Sequence, residues 1–142
     1  MNPTKSADPI KIILVDDHKL VRESMGLLLD SDPRFSVIKA CDNGHDAIEQ
    51  AKLLKPDLVL LDINMSPLNG FEVAEKILEH NPDLKIIALS VNNLPSYAIR
   101  MISLGVKGYM TKSSSFDEIA HAIMEVSNGR QYIATEVRNM IL

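Results

Sequence analysis

The strongest constraint on the fold is a regular alternation between short apolar runs and longer segments whose apolar residues recur at helical spacing. This pairing recurs five times between residues 10 and 129. Such alternation is typical of parallel sheets, in which right-handed crossovers place helices on both faces. The sequence therefore predicts an α/β fold: a doubly wound, five-stranded parallel sheet with helices on both faces.

The predicted strands lie near residues 10–15, 35–40, 57–61, 85–89 and 106–111. The helices between them carry apolar stripes at a period near 3.6 residues. These stripes are Leu20, Val21, Met25 and Leu28; Ala47, Ile48, Ala51 and Leu54; Val73, Ala74, Ile77 and Leu78; and Ala98, Met101 and Ile102. Pro95 suits the first turn of the fourth helix and Gly105 its end. Ser115 and Glu118 have capping-box spacing at the start of the last long helix.

We expect three segments along the chain. Residues 1–9 form a disordered leader, 10–129 the domain, and 130–142 the start of an interdomain linker helix. Thr135 can cap a short helix with Val137 and Met140 on one face, which is marginal in isolation. A partner-binding tail is the alternative interpretation of this last segment, and the linker is favoured.

Composition narrows the classes of function. A formal net charge of -4 and the absence of Trp argue against direct nucleic-acid binding. Cys41 is the single cysteine, which suits a reducing compartment. Nothing in the sequence approaches the ~20 apolar residues of a membrane span, and no secretory signal is visible. The expectation is a cytoplasmic domain that does not enter a membrane.

Polar residues stand where the predicted strands end. Asp16 and Asp17 follow the first strand, Asp62 the third, Ser90 the fourth and Lys112 the fifth. Ligands of open parallel sheets bind at the carboxyl ends of the strands, so these side chains would meet at one edge. Carboxylates brought together repel one another unless a cation intervenes. The pattern predicts a site with a divalent cation.

Each residue type in this set suits phosphoryl transfer. Asp62 is the candidate nucleophile, because carboxylates form acyl phosphates. Asp16 and Asp17 can hold Mg²⁺, which prefers oxygen ligands, while Lys112 and Ser90 can bind phosphoryl oxygens. Taken singly, the two acids could instead cap a helix and the lysine could be an ordinary surface residue. Their joint occurrence at strand ends favours the site.

The sequence resembles the receiver domain of bacterial two-component response regulators over about residues 10–129. The resemblance is carried by the acidic pair, by Asp62 within Leu-Leu-Asp-Ile-Asn-Met, by Ser90, and by Tyr109 three residues before Lys112. The stretches Val-Asp-Asp-His and Gly-Val-Lys-Gly-Tyr resemble the LuxR/NarL-type subfamily, whose members usually carry a C-terminal helix-turn-helix. That output domain is absent from these residues.

The resemblance implies a flavodoxin-like strand order 2-1-3-4-5 and a phosphorylation-controlled switch rather than a turnover enzyme. A sensor histidine kinase would phosphorylate Asp62, with Mg²⁺ held by Asp17, Asp62 and the backbone carbonyl of Asn64. Asp16 would act mainly through a metal-bound water. Ser90 and Tyr109 would then move and change the surface of the fourth helix, fifth strand and fifth helix. That surface would form a phosphorylation-dependent homodimer or meet partners, and DNA would be reached only through an output domain.

Some residues depart from the family pattern or carry no assigned role. Ser66 precedes Pro67 where the family commonly has Met-Pro, which makes the loop around the Asn64 carbonyl differ. Val91 is larger than the Ala or Gly frequent at its position, and slower phosphorylation by small donors would follow. For His18, a helix-capping or surface role is favoured over a role in the site.

Three alternatives remain beside the switch. A Mg²⁺-dependent phosphohydrolase with an Asp nucleophile needs a second Asp two residues later, where this chain has Asn64. A flavodoxin-like nucleotide binder needs a first loop that accepts phosphate, which two acids would repel. An interaction module that is never phosphorylated would not need the complete set of acids and Lys112.

Overall fold

The computed structural model describes residues 5, 8–91 and 94–141. The strands are β1 (Ile10–Val15), β2 (Phe35–Cys41), β3 (Leu58–Asp62), β4 (Lys85–Ser90), β5 (Gly108–Thr111) and β6 (Tyr132–Ile133). The helices are α1 (Lys19–Asp30), α2 (Gly44–Leu54), α3 (Gly70–His80), α4 (Pro95–Leu104), α5 (Phe116–Ser127) and α6 (Thr135–Ile141). The predicted α/β class is therefore confirmed.

All strand pairs of the sheet are parallel, in the order β2-β1-β3-β4-β5-β6. The prediction of five strands was wrong, because β6 adds a sixth beyond β5. Gly108 pairs with Tyr132, and the N–H of Ala134 donates to the carbonyl of Tyr109 at 2.8 Å. A strand of two residues is too short to show a period in the sequence, so only its pairing with β5 reveals it.

The core lies on both faces of the central strands. Residues 58–61 of β3 are completely buried, as a strand between two helical layers requires. In α3 all four residues of the predicted stripe are buried, and in α4 Ala98 and Met101 are buried. Pro95 is in the first turn of α4 and Gly105 ends that helix with a positive φ of 104°, both as predicted.

The predicted stripe of α1 was wrong in its phase. Leu20 is 77% exposed and Leu28 48% exposed, whereas Leu29 is completely buried. Apolar residues occur nearly all around this helix, so sequence spacing does not decide which side packs. Leu29 and the partly buried Met25, which lie one turn apart, are the residues of α1 that pack into the core.

Helix ends follow local chemistry. Ser115 accepts a hydrogen bond from the N–H of Glu118 at 3.1 Å, as the spacing predicted. A complete capping box occurs at α3, where Asn69 and Glu72 each accept from the other's N–H.

The two ends of the chain can be compared with the predicted segments. The helix predicted after Thr135 is present as α6, with Val137 completely buried and Met140 54% exposed. Most of the predicted leader, residues 1–9, lies outside the described residues, and the three-segment division stays a prediction. Among residues 5, 8–91 and 94–141, no helix is long and apolar enough to cross a bilayer.

Candidate functional site

The strand order brings the predicted site residues to one edge of the sheet. β1 and β3 are neighbours, with Val15 beside Leu61. Asp16, which follows β1, and Asp62, the last residue of β3, therefore lie at the same edge of the sheet. Chain connections leave this pair of strands in opposite directions across the sheet, since β2 flanks β1 and β4 flanks β3. Such a switch point opens a crevice at the carboxyl ends of the strands.

Lys112 joins two acids across this crevice. Its Nζ lies 3.0 Å from Oδ2 of Asp16 and 3.2 Å from Oδ2 of Asp62. The lysine side chain is 13% exposed, and the two carboxylates are almost entirely buried. One amine therefore faces two buried carboxylates from different strands, which leaves the cluster with excess negative charge.

Asp62 is the least satisfied of these groups. It is completely buried, and its Oδ2 accepts no hydrogen bond of suitable angle from the described residues despite the nearby amine. Burial is the main cause that raises the pKa of Asp62 to about 6, and the charge of Asp16 adds to the rise. The N–H of Asn64, which donates to Oδ1 at 3.0 Å, and Lys112 oppose it.

Glycine fixes the backbone around Asp62. A side chain at Gly70 would place its Cβ 2.5 Å from Cα of Ile63 and 2.8 Å from the carbonyl oxygen of Asp62. The Gly70 N–H also donates to the Ile63 carbonyl at 2.9 Å. Helix α3 can therefore begin directly against the loop that follows β3 only because residue 70 has no side chain.

Asp17 and Asn64 lie on the solvent side of the cluster. The Asp17 side chain is one-third exposed, and the exposed Asn64 accepts a hydrogen bond from the Val91 N–H at 3.3 Å through its side-chain oxygen. The peptide bond between Ser66 and Pro67 is cis. The role of the Asn64 carbonyl as a metal ligand stays a prediction.

Ser90 and Tyr109 form a second buried pair near this edge. Both are completely buried, and the Ser90 side chain hydrogen-bonds the Tyr109 hydroxyl. Burial raises the pKa of Tyr109, and the bond to Ser90 opposes that rise. The two residues singled out as switch elements are therefore in direct contact, with the aromatic ring inside the protein.

The sequence reasoning favoured another role for one residue beside the cluster, His18, and missed a second, Arg22. His18 holds the N-cap position of α1, but its side chain makes no capping bond within the described residues. Its Nδ1 instead lies 3.1 Å from Asp16 and 3.2 Å from Asp17, so the favoured capping or surface role describes only its backbone and its exposure. Arg22 donates to the carbonyl of Asp16 at 2.9 Å and holds that backbone. Their positions one and five residues after the acidic pair, on the first turns of the next helix, were the available signal.

Comparison with known proteins decides the family. The model of the response regulator receiver domain matches residues 12–124, which is most of the chain. The chain belongs to the response regulator receiver family. Within this receiver domain, the acids, Ser90 and Lys112 occupy the strand ends from which the resemblance was inferred.

Relatives of the receiver domain are longer proteins. The transcriptional regulatory protein DegU of Brevibacillus brevis is 32% identical over the whole chain, and the response regulator GacA of Pseudomonas aeruginosa is 34% identical over 93% of it. The chain spans about 60% of the length of these curated relatives. A solved LuxR-family two-component response regulator from Aurantimonas sp. SI85-9A1 is 26% identical, with a TM-score of 0.89 over 93% of this chain and 94% of that one.

The donor set of the receiver domain fits a small hard cation. Asp16, Asp17 and Asp62 each offer a carboxylate oxygen, and the buried Oδ2 of Asp62 accepts no hydrogen bond from the described part of the chain. Buried carboxylates that share one lysine are incompletely neutralised, and a cation would lower that cost. Mg²⁺ accepts one or two carboxylates while it keeps several waters, which suits a cluster that is buried on one side and open on the other.

Proposed function

We propose that this receiver domain is a phosphorylation-controlled signalling switch in which Asp62 is the phosphoacceptor. The observation that carries the proposal is the buried Asp62 Oδ2, which lies 3.2 Å from the Lys112 amine at the β1/β3 crevice and accepts no hydrogen bond from the residues that the structure describes. A carboxylate oxygen of Asp62 would attack the donor phosphorus. The bond from phosphorus to the donor atom would break, and its electron pair would leave with the donor.

The surrounding residues would stabilise the transferred group. Lys112 would pair with a phosphoryl oxygen, and the Ser90 hydroxyl would donate to another once it leaves Tyr109. Asp16, Asp17 and Asp62, with the Asn64 carbonyl, would hold Mg²⁺. The bound cation would supply neutralisation of the carboxylates and of the developing phosphoryl charge. The net negative charge of the cluster otherwise repels a phosphate.

The Ser90–Tyr109 contact supports a route from the site to the surface. Both side chains are buried and hydrogen-bonded to each other. If the Ser90 hydroxyl donates to a phosphoryl group instead, its hydrogen bond with Tyr109 is lost. Phosphorylation would thereby favour one arrangement of α4, β5 and α5 over another, by the difference in its affinity for the two. That surface would form a homodimer or meet partners.

The wider role follows from the family and remains part of the proposal. A sensor histidine kinase would be the phosphodonor, and a cytoplasmic location would give it access. DegU, a relative named as a transcriptional regulatory protein, supports control of transcription through an output domain. The domain would catalyse only its own phosphorylation and dephosphorylation.

The test is a stoichiometric phosphorylation assay. Incubation with acetyl phosphate and Mg²⁺ should add one hydroxylamine-labile phosphoryl group by intact mass, and chelation of Mg²⁺ should prevent it. Asp62→Asn should give no adduct, whereas the exposed control Asp83→Asn should react like the parent. An adduct that persists in Asp62→Asn would move the acceptor elsewhere, and steady hydrolysis of p-nitrophenyl phosphate would support the phosphohydrolase instead.

A further inference from the structure

The imidazole of His18 lies over the acidic cluster. Its Nδ1 is 3.1 Å from Oδ1 of Asp16, 3.2 Å from Oδ1 of Asp17 and 4.0 Å from Oδ2 of Asp62. One ligand atom from each of these four residues falls within 4.8 Å of all the others. The His18 side chain is 56% exposed, so the ring closes the solvent side of the cluster without sealing it.

A buried oxygen beneath the ring indicates that the cluster binds a ligand. The Asp62 carboxylate is completely buried, and its Oδ2 accepts no hydrogen bond from the described residues while it faces His18. A buried carboxylate oxygen that faces other carboxylates is unfavourable, and a bound cation would lower that cost. The Lys112 amine, shared with Asp16, offsets only part of the negative charge.

The chemistry of His18 distinguishes between cations. Mg²⁺ prefers oxygen ligands and retains water, whereas imidazole suits Zn²⁺, Co²⁺ and Ni²⁺. Neighbouring ligands around an ion with bonds of ~2.1 Å are about 3 Å apart, close to the separations of Nδ1 from the two aspartate oxygens. We propose that His18 is a specificity-determining metal ligand, through which this site binds Zn²⁺ and related transition-metal ions more tightly than Mg²⁺.

The inference rests on the proposed function in one respect, since it takes the three aspartates as ligands of a cation. It adds that His18 increases the affinity of the site for Zn²⁺ but not for Mg²⁺. For Zn²⁺ the Nδ1 atom of the ring supplies a nitrogen ligand. For Mg²⁺ the ring supplies no ligand, and its removal opens space for water.

Isothermal titration calorimetry of the parent and of His18→Ala with Zn²⁺ and with Mg²⁺ tests this difference. His18→Ala should weaken Zn²⁺ binding by about 10- to 100-fold and leave Mg²⁺ binding unchanged or tighter. His18→Gln, which keeps a polar side chain without an imidazole, should behave like His18→Ala. In the parent, Zn²⁺ should shift the imidazole ¹⁵N resonance of His18 Nδ1, and Mg²⁺ should not.

A matched control separates this site from adventitious zinc binding. His121 carries another exposed imidazole, 3.6 Å from Glu125 and on a different helix, so His121→Ala should keep the parent's Zn²⁺ affinity. The proposal is overturned if His18→Ala binds Zn²⁺ as the parent does, if Zn²⁺ leaves the His18 resonance in place, or if both ions lose affinity equally. Acetyl phosphate labelling with Mg²⁺ tests Asp62 alone. If His18 does not determine the metal preference, the phosphorylation of Asp62 can still be observed. If Asp62 is not phosphorylated, the difference in metal affinity between the parent and His18→Ala can still be measured.

Discussion

Asp62 and Thr111 are both buried polar residues that end parallel strands, yet their surroundings differ. The Thr111 hydroxyl donates to Glu136 at 2.7 Å and lies 3.0 Å from the Ser113 hydroxyl, so its polar atom is paired within the protein. Within the described residues, Oδ2 of Asp62 accepts no hydrogen bond, and Asp62 shares one lysine, Lys112, with Asp16. The Thr111 hydrogen bond connects α6 to the sheet, whereas Asp62 has to share the Lys112 amine with Asp16. Buried charges that are incompletely neutralised are characteristic of functional sites.

The largest expected effect is on the rate at which Asp62 is phosphorylated. Lys112→Met keeps an aliphatic side chain of similar length but removes the cation from both aspartates. Removal of one charge-stabilising group typically costs 10²–10³ in rate, so Asp62 phosphorylation by acetyl phosphate should slow by about 100-fold. Intact-mass time courses measure this rate.

Thr111→Val is the matched control for that rate. It alters the adjacent strand-end residue without touching the cluster, and phosphorylation should stay within about twofold of the parent, since no group that contacts the phosphoryl is lost. If Lys112→Met and Thr111→Val slowed phosphorylation equally, the proposed difference between the Asp62 and Thr111 strand ends would be wrong.

The second prediction concerns the backbone that supports Asp62. Gly70→Ala would force a Cβ to 2.5 Å from Ile63 Cα, where the neighbour is backbone and cannot rotate away. We expect a loss of about 1 to 3 kcal/mol in the free energy of unfolding, together with slower phosphorylation. Urea denaturation and the same mass assay measure the two effects.

Gly26→Ala provides the comparison for this glycine. Gly26 lies within α1, and among the described residues the nearest atom to an added Cβ would be Leu14 Cδ2, at 3.9 Å. Alanine should therefore raise the free energy of unfolding by roughly 0.5 to 1 kcal/mol through helix propensity. If the two alanine variants were equally stable, the close approach of α3 to the Asp62 loop would not constrain the fold.

The third prediction concerns the pH dependence of stability that the buried Asp62 carboxylate causes. The pKa of Asp62 is about 6 in the folded protein and 3.8 when unperturbed, so between these values the folded state binds more protons. Its contribution to the free energy of unfolding therefore falls as pH rises through this window and stays low above it. Without divalent metal, Asp62→Asn should stabilise the protein by about 1 to 3 kcal/mol at pH 7.5, and by progressively less towards pH 4.

Thermal unfolding of the parent and Asp62→Asn across this pH range measures the difference. Added Mg²⁺ should stabilise the parent and leave the variant almost unchanged, because the variant lacks a carboxylate ligand. The exposed Asp83→Asn should show no comparable gain. A stability difference that does not depend on pH would argue against a raised Asp62 pKa.

The smallest expected effect is on the stability of α6, which Thr111 contacts through Glu136. Thr111→Val removes a buried hydroxyl donor but keeps the shape of the side chain, at a cost of about 1 kcal/mol. The loss should appear as faster hydrogen exchange in α6, because Glu136 is the acceptor on that helix. Glu136→Gln, which retains an acceptor oxygen, should lose less; an unchanged α6 in Thr111→Val would show that Val137 packing alone holds the helix.

Much of the fold and of the candidate site was predictable from local patterns. The runs that end at Asp16, Asp62, Ser90 and Lys112 implied that these residues meet at one edge, and the structure brings the acids and the lysine together. This worked because strand direction is set by chain connectivity, and parallel strands place all their carboxyl ends together. Helix boundaries followed from caps such as Ser115, which depend on neighbours in the chain.

The sequence by itself thus determined the order of the elements, the edge at which the polar strand ends meet and the chemical types available there. Tertiary structure alone decided which face of α1 is buried, that β6 pairs with β5, and that the His18 ring turns towards the acids. It also decided that Thr111 hydrogen-bonds Glu136, whereas Asp62 shares the Lys112 amine with Asp16. The physical reason is the range of the interactions: caps and periodicity act within a few residues, whereas burial, pairing and unsatisfied charge depend on groups brought together from distant parts of the chain.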